Sequence, residues 1–269
     1  MTLNKKSDTL LISEEEVFPV EKKLPKKLGK EPLIDAIFEI RFSSDAPASE
    51  IIPGFLFSSL EGNKTIESLP MSQIPRPLRE ADPNLKFAPI TRLKWGNFTI
   101  NVSNFGVSVG CNYPYQGWEK FRSAIINVVS SLEKIGIINS INRYSMKYID
   151  LIPSDDIKHQ ISLINMDISV AGHKIESEAF TLRVDIIRDN FINLVQIIPS
   201  ASAKLIDGTK REGIIIDVDT IQTIDDLTIK NVIDEDFSGR LDIIHKANKT
   251  MFFDCLKPET ITKLEPVYD

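Results

Sequence analysis

Apolar residues recur with two different periods along the chain, and the changes of period separate predicted strands from predicted helices. The run LIDAIFEIRF alternates from Leu33 to Phe42, which predicts a strand. A second alternating run spans Phe98–Val102, and a third follows the turn at Gly106 and reaches Val109. Two short alternating runs joined by such a turn predict a β-hairpin.

Two longer segments have the helical period instead. Apolar residues recur every three or four positions from Trp118 to Ile135, and Gly136 is suited to end the helix. A similar stripe runs from Phe237 to Cys255, and Pro258 bounds it. The segment ASEIIPGFLFSSLEG predicts a short helix, whereas residues 62–90 hold five prolines and predict a long loop.

The second part of the chain is dominated by strand patterns. One predicted strand runs from about Ile141 to Ile152 and contains NRYSMKYIDLI, and Pro153 begins the turn that closes it. Further β patterns follow in the segments ISLINMDISV, FTLRVDII, FINLVQII and GIIIDVDTI. Strands joined by links of hairpin length favour antiparallel pairing.

The order of these elements predicts an α+β fold. Because a group of strands followed by a long helix occurs twice, we interpret the chain as two similar halves with a weak internal repeat, each an antiparallel sheet packed on a long amphipathic helix. The expected organisation is a charged, flexible leader over residues 1–30, an N-terminal half over 31–153 and a C-terminal half over 154–269.

Composition limits the classes of partner. The 269 residues include 38 acidic and 32 basic side chains, a formal charge of −6, which argues against a broad electrostatic grip on nucleic acid. The leader places Lys22, Lys23, Lys26 and Lys27 around Pro25. Such a block can be a nucleic-acid arm, but a solvated tail is the favoured interpretation.

Signals for secretion, disulfides and membrane insertion are missing from the sequence. Cys111 and Cys255 lie far apart, the first 30 residues lack the apolar core of a signal peptide, and no apolar run approaches the roughly 20 residues of a membrane helix. We therefore expect a cytoplasmic protein without membrane contact.

Catalytic motifs are also missing. The chain has no GxxxxGK[ST], GxGxxG, HExxH or GxSxG pattern, so we expect neither a cofactor nor enzymatic activity. His245 is interpreted as a structural histidine. Asp217 and Asp219 alternate on one predicted strand and could bind a divalent metal as in a nuclease, although a strand with one hydrated face is the favoured interpretation.

The candidate binding residues are aromatic and cationic. Tyr113, Tyr115 and Trp118 gather around Pro114 at the start of the first long helix, where aromatic residues can line a pocket or fix the chain's approach to the helix. Tyr148 lies on the apolar face of its predicted strand, which ends in Asp150. Arg143 and Lys147 lie on the opposite face and could contact an acidic partner.

Five segments in a fixed order resemble a sporadically distributed family of uncharacterised prokaryotic proteins of about this length. They are PLIDAIFEIRF, YPYQGWEKFR, RYSMKYIDLIP, GIIIDVDT and HKANKTMFFDCLKPETITKL. The family's central strand reads R-x-x-x-R-Y-x-N. In this chain, Lys147 replaces the second arginine of that pattern and Asp150 replaces its asparagine. A role that needs two forked guanidinium groups is therefore not expected here. The scattered occurrence of the family suggests an anti-phage or toxin–antitoxin locus.

Three functions remain as hypotheses. The first is a non-catalytic interaction or regulatory subunit that binds another protein encoded nearby, or a second copy of itself. The second is a ligand-binding or sensing module with a pocket lined by Tyr113, Trp118 and Tyr148 between sheet and helix. The third is a metal-dependent nuclease that uses Asp217 and Asp219.

Overall fold

A computed structural model describes residues 23–205 and 208–268 of the chain. The strands of these residues are β1 (Lys27–Leu28), β2 (Leu33–Ser43), β3 (Lys64–Ser68), β4 (Thr91–Trp95), β5 (Phe98–Val102), β6 (Gly106–Cys111), β7 (Ser140–Pro153), β8 (Ser169–Val170), β9 (His173–Lys174), β10 (Leu182–Arg188), β11 (Phe191–Lys204), β12 (Lys210–Leu227) and β13 (Pro266–Val267).

The helices are α1 (Ala48–Ser59), α2 (Arg76–Ala81), α3 (Trp118–Ile135), α4 (Ile157–Ser162), α5 (Ile229–Asp234), α6 (Phe237–Asp254) and α7 (Pro258–Lys263), with a 3₁₀ turn at Pro70–Gln73. Within the part of the chain described, no helix has the length and apolar character needed to cross a membrane.

Nine strands form one antiparallel sheet with the order β10-β11-β12-β7-β2-β6-β5-β4-β3. The α+β class and the antiparallel pairing predicted from the sequence are confirmed. The two predicted halves do not form separate sheets, because β7 of the predicted N-terminal half pairs with β12 of the predicted C-terminal half and joins their strands into one sheet. Pairing between strands that are distant in the chain leaves no local signal in the sequence.

The order of elements nevertheless repeats when the chain is divided before β7 rather than after Pro153, the boundary predicted from the sequence. The first half then runs β2, α1, the meander β4–β5–β6 and α3; the second runs β7, α4, the meander β10–β11–β12 and α6. The last strand of each meander lies beside the first strand of its own half. The larger hydrophobic cluster contains Phe38 and Phe121 from the first half and Leu241 from the second, so the halves share a core.

One face of the sheet carries the long helices. Phe38 and Ile40 of β2 are fully buried on that face, whereas Glu39 and Arg41 alternate with them and are half-buried on the opposite face. Burial of one face of each strand is what the alternating pattern predicts.

The long helices form where the sequence predicts them. The stripe of α3 buries Ile125 and Leu132, and Gly136 ends the helix with a φ of 69°, a left-handed conformation that glycine adopts without strain. At the start of α6, the side chain of Asp236 accepts a hydrogen bond from the backbone N–H of Gly239, which satisfies a donor in the first turn.

Two segments differ from the sequence prediction. Residues 62–90, predicted as a loop, contain β3, the 3₁₀ turn and α2; β3 is an edge strand that pairs only with β4, so it needs little apolar alternation. The beginning of ISLINMDISV belongs to α4 rather than a strand, because the Asp156 side chain accepts the backbone N–H of His159 and starts a helical turn there.

The leader is only partly covered. Glu14, Glu15, Glu16 and Lys22, which carry most of its charge blocks, lie outside the described residues. Its last residues form β1, which pairs with β13 near the C-terminus; the backbone N–H of Gly29 also donates to the carbonyl of Glu265 at 2.9 Å. This segment therefore lies beside α6 and α7 and borders the cavity discussed below.

Gly213 marks a close approach of two central strands, which gives a stability prediction. A Cβ at this position would lie 2.0 Å from the carbonyl oxygen of Ile152, a backbone atom that cannot move alone. We expect Gly213→Ala to lower the free energy of unfolding by about 1–3 kcal/mol. The matched control is Gly110→Ala, where the nearest atom is 3.7 Å away and the change should stay within about 0.5 kcal/mol. Urea denaturation of both variants measures the difference, and equal losses would contradict the prediction.

Candidate functional site

A cavity of about 1100 Å³ lies on the helix-bearing side of the sheet. Its walls come from β7, from α6, from the chain between β6 and α3, and from residues 25–33 that lead into β2. It therefore lies between elements of both halves of the fold. Its volume is ample for a small-molecule site.

Aromatic side chains form one wall of the cavity. Tyr113, Tyr115 and Trp118 come from the chain that enters α3. Gly117, the residue before α3, has a φ of 87°, a conformation that glycine permits and that turns the chain into the helix. The indole of Trp118 stacks on the ring of His245 with 4.0 Å between centroids.

The indole is also fixed at its polar edge. Trp118 Nε1 donates to Asp242 Oδ1 at 2.8 Å, and the other oxygen of Asp242 accepts from Arg122 at 2.8 Å. Two contacts with α6 therefore hold the Trp118 ring in place at the cavity wall.

A chain of uncharged polar groups runs along the floor of the cavity. The hydroxyl of Tyr148 lies 3.0 Å from His245 Nδ1 and 3.3 Å from the hydroxyl of Tyr115. Burial lowers the pKa of His245 to about 3, and the nearby Lys249 charge adds to this shift. Burial also raises the pKa of both phenols, so at neutral pH the imidazole is neutral and both hydroxyls keep their protons.

Asp150 is the buried acid of the cavity. It belongs to β7, lines the cavity and is only 5% exposed. Burial raises the pKa of its carboxyl well above the usual value, and the acidic neighbours Glu31 and Asp217 raise it further. Within the described chain, no hydrogen bond or ion pair joins this carboxyl to another group.

Cationic side chains stand at the edge of the same cavity. Lys27 and Lys263 line it and are exposed to solvent. Arg211 donates to the hydroxyl of Tyr113 at 3.1 Å, and its guanidinium lies 5.5 Å from the centre of that ring. Desolvation raises the pKa of Glu31, a further lining residue, while Lys249 acts in the opposite direction.

The structure divides the candidate binding residues between two faces. Tyr113, Trp118 and Tyr148 meet in the cavity, as the ligand-binding hypothesis requires. Arg143 and Lys147 lie on the other face of the sheet, each beside an acid: Arg143 Nη2 is 3.0 Å from Glu39 and Lys147 Nζ is 2.7 Å from Asp217. A cavity ligand therefore contacts neither cation.

The acids of the metal hypothesis belong to that ion-pair network. Asp217 pairs with Lys147, and Asp219 accepts a hydrogen bond from Ser145. Burial raises the pKa of Asp219, and the positive charge of Arg143 acts against this rise. In residues 23–205 and 208–268, no three acidic, histidine or cysteine side chains are grouped so that they could hold a metal ion.

Sequence reasoning did not select Asp150 or His245 as binding residues, although both line the cavity. The signal for Asp150 was an acid on the apolar face of a strand, next to Tyr148 in the alternation. The signal for His245 was a position on α6 beside the buried residue Ile244. Each signal is also typical of ordinary structural residues, so neither singles out a site.

Comparison with known proteins adds no assignment: no family model and no curated protein matches the chain.

Proposed function

We propose that this protein binds a small organic molecule in the cavity between the sheet and helices α3 and α6. The observation that supports this most directly is the meeting of Tyr113, Trp118 and Tyr148 around about 1100 Å³ of open space. Pockets for small molecules combine apolar and aromatic walls with a few polar groups that orient the ligand. Here the polar groups are Asp150 and the Tyr148–His245 pair.

The cavity changes the order of the hypotheses drawn from the sequence. An interaction subunit needs no interior space of this size, and unfilled space in a folded domain forfeits packing contacts. Ligand binding gives the space a role and uses the aromatic residues that line it. Binding without chemistry is the proposed activity, which makes the protein a receptor or sensing module.

The two tryptophans of the chain offer a direct test. Trp118 lines the cavity, whereas Trp95 lies on β4 outside its lining. The probes are matched fragments with one ring and different charges: phenethylamine, hydrocinnamate and hydrocinnamamide, with their cyclohexyl counterparts. We expect at least one fragment class to change tryptophan emission in the wild type and in Trp95→Phe, and to leave the emission of Trp118→Phe unchanged.

Native mass spectrometry of protein purified gently from cells complements the titration. The expected result is a small non-covalent mass on each chain that is lost on denaturation. An equal emission response in Trp118→Phe would place binding elsewhere, and no response to any fragment would contradict the proposal. A stoichiometric protein companion, with no small mass, would favour the interaction subunit instead.

A further inference from the structure

The Asp150 carboxyl has no hydrogen-bond or ion-pair partner among the described residues, although the residue is only 5% exposed. A carboxyl group that is largely removed from water without such partners loses part of its solvation. Its raised pKa shows the same penalty, since burial favours the neutral form. Most buried polar groups in folded proteins have partners, and an exception that lines a cavity calls for a partner from outside the chain.

The electrostatic surroundings of Asp150 define what that partner is. The two charges that add to its pKa shift, Glu31 and Asp217, are both acidic. Bringing a positive charge to this corner of the cavity relieves the repulsion among these acids and supplies a hydrogen-bond donor to the carboxylate. Aromatic faces nearby, such as that of Tyr148, also favour a cation.

The lysines of the cavity do not cancel the acidic character of the Asp150 carboxyl. Lys27 and Lys263 are solvent-exposed, so water and salt screen their charges. Lys249 on α6 is half-buried and its charge acts on Glu31 and His245, but the charges that act on Asp150 are those of Glu31 and Asp217. Asp150 is 5% exposed, and charge interactions at such a site are screened much less than at the surface.

We propose that the ligand carries a protonated nitrogen, and that Asp150 is the residue that recognises it. The ligand class is an organic amine, amidine or guanidine whose cationic group donates hydrogen bonds to the Asp150 carboxylate, with the remainder of the molecule among the aromatic rings. This inference rests on the proposed function, because it names the chemistry of the same cavity.

The fragment panel separates the charge classes because its members share their rings. In wild-type protein, we expect phenethylamine and its cyclohexyl counterpart to bind at least about tenfold more tightly than the carboxylates and the neutral amides. Binding is followed by tryptophan emission in the Trp95→Phe background, so that Trp118 reports on the cavity alone.

Two matched variants isolate the role of Asp150. Asp150→Asn keeps the shape and removes the charge, and should reduce amine affinity at least about tenfold while leaving the weak binding of the amides unchanged. Asp185→Asn makes the same change at an exposed position of β10 outside the cavity lining, and should bind amines like the wild type. Asp150→Asn should also melt at the same temperature as the wild type or higher, because it removes a buried carboxyl that has no partner.

The outcomes distinguish this inference from the function on which it rests. Fragments that bind in the cavity but are mainly carboxylates or amides, or amines whose affinity Asp150→Asn leaves intact, would overturn the amine proposal and preserve ligand binding. A marked loss of thermal stability in Asp150→Asn would identify a structural role and also overturn it. No response of Trp118 to any fragment would overturn both proposals.

Discussion

The wild type is expected to lose unfolding free energy when the pH falls from about 7.5 to about 4.5. Replacing His245 with phenylalanine is expected to make this loss smaller by about 2–3 kcal/mol. In the folded protein, burial lowers the pKa of His245 from 6.5 to about 3. Below about pH 6.5, the His245 imidazole is therefore protonated in the unfolded chain but stays neutral in the folded chain. Stability supplied by the neutral imidazole is complete above that pH and is lost as the pH falls towards 3.

Phenylalanine suits this test because it keeps the ring that stacks on Trp118 and cannot titrate. It loses the contact with the Tyr148 hydroxyl, so the quantity to compare is the change of unfolding free energy with pH rather than its absolute value. Urea denaturation at several pH values measures that change. Carboxylates contribute equally to the wild type and the variant and cancel in the difference.

His159→Phe provides the control for this experiment. The imidazole of His159 is solvent-exposed and contacts the hydroxyl of Ser154. Its replacement should leave the acid slope of the wild type intact. His245→Phe and the wild type could instead lose stability in parallel below pH 6.5. The imidazole would then be accessible to water and protonated in the folded state, which would contradict an uncharged cavity floor.

A neutral His245 has a consequence for the proposed ligand. With the imidazole uncharged and the phenols of Tyr115 and Tyr148 protonated, the floor of the cavity presents hydrogen-bonding groups without net charge. Asp150 is then the buried carboxyl of the lining that can become ionised when a cation arrives. Glu31 and Lys249 also line the cavity, so replacing Asp150 alone tests its own share of the charge selectivity.

Local patterns in the sequence were sufficient for much of the fold. The alternation in β2, the hairpin of β5 and β6, and the helical stripes of α3 and α6 each depend on residues close together in the chain, and all four appear where predicted. These patterns also grouped Tyr148 with the apolar face of β7. That face turned out to be the cavity side, together with Tyr113 and Trp118.

The remaining features depend on contacts between distant segments. Pairing of β2 with β7 decides that there is one sheet, and no residue near either strand encodes it. Alternation already places Arg143 and Lys147 on the face opposite Tyr148. Only the positions of Glu39 and Asp217 show that each of these cations has an acidic partner within the protein.

Asn248 shows how a distant polar contact can organise this fold, and its replacement by leucine should be among the most damaging single changes. Asn248 lies on α6 and is 1% exposed. Its Nδ2 donates to the carbonyl oxygens of Met146 and Val218, at 2.8 Å each, and approaches Thr220 Oγ1 at 3.1 Å. The hydroxyl of Thr220 donates in turn to Asn193 Oδ1 at 2.8 Å.

This polar network ties α6 to strands β7, β12 and β11 in the middle of the core. Leucine has the branched shape of asparagine but is larger and has no donor, so Asn248→Leu leaves buried acceptors without their partner. Each such loss costs about 1–3 kcal/mol, and we expect a total decrease in unfolding free energy of about 2–4 kcal/mol. Urea denaturation near neutral pH measures it.

Two further variants decide whether hydrogen bonding is the cause. Asn127→Leu makes the same change at an exposed position of α3 and should alter stability by no more than about 0.5 kcal/mol. Asn248→Asp keeps the shape but turns an acceptor towards the strand carbonyls, and should be at least as destabilising as leucine. A stable Asn248→Leu would mean that apolar packing alone fixes α6 on the sheet. Because α6 also carries His245, that helix would then position the cavity wall without help from the polar network.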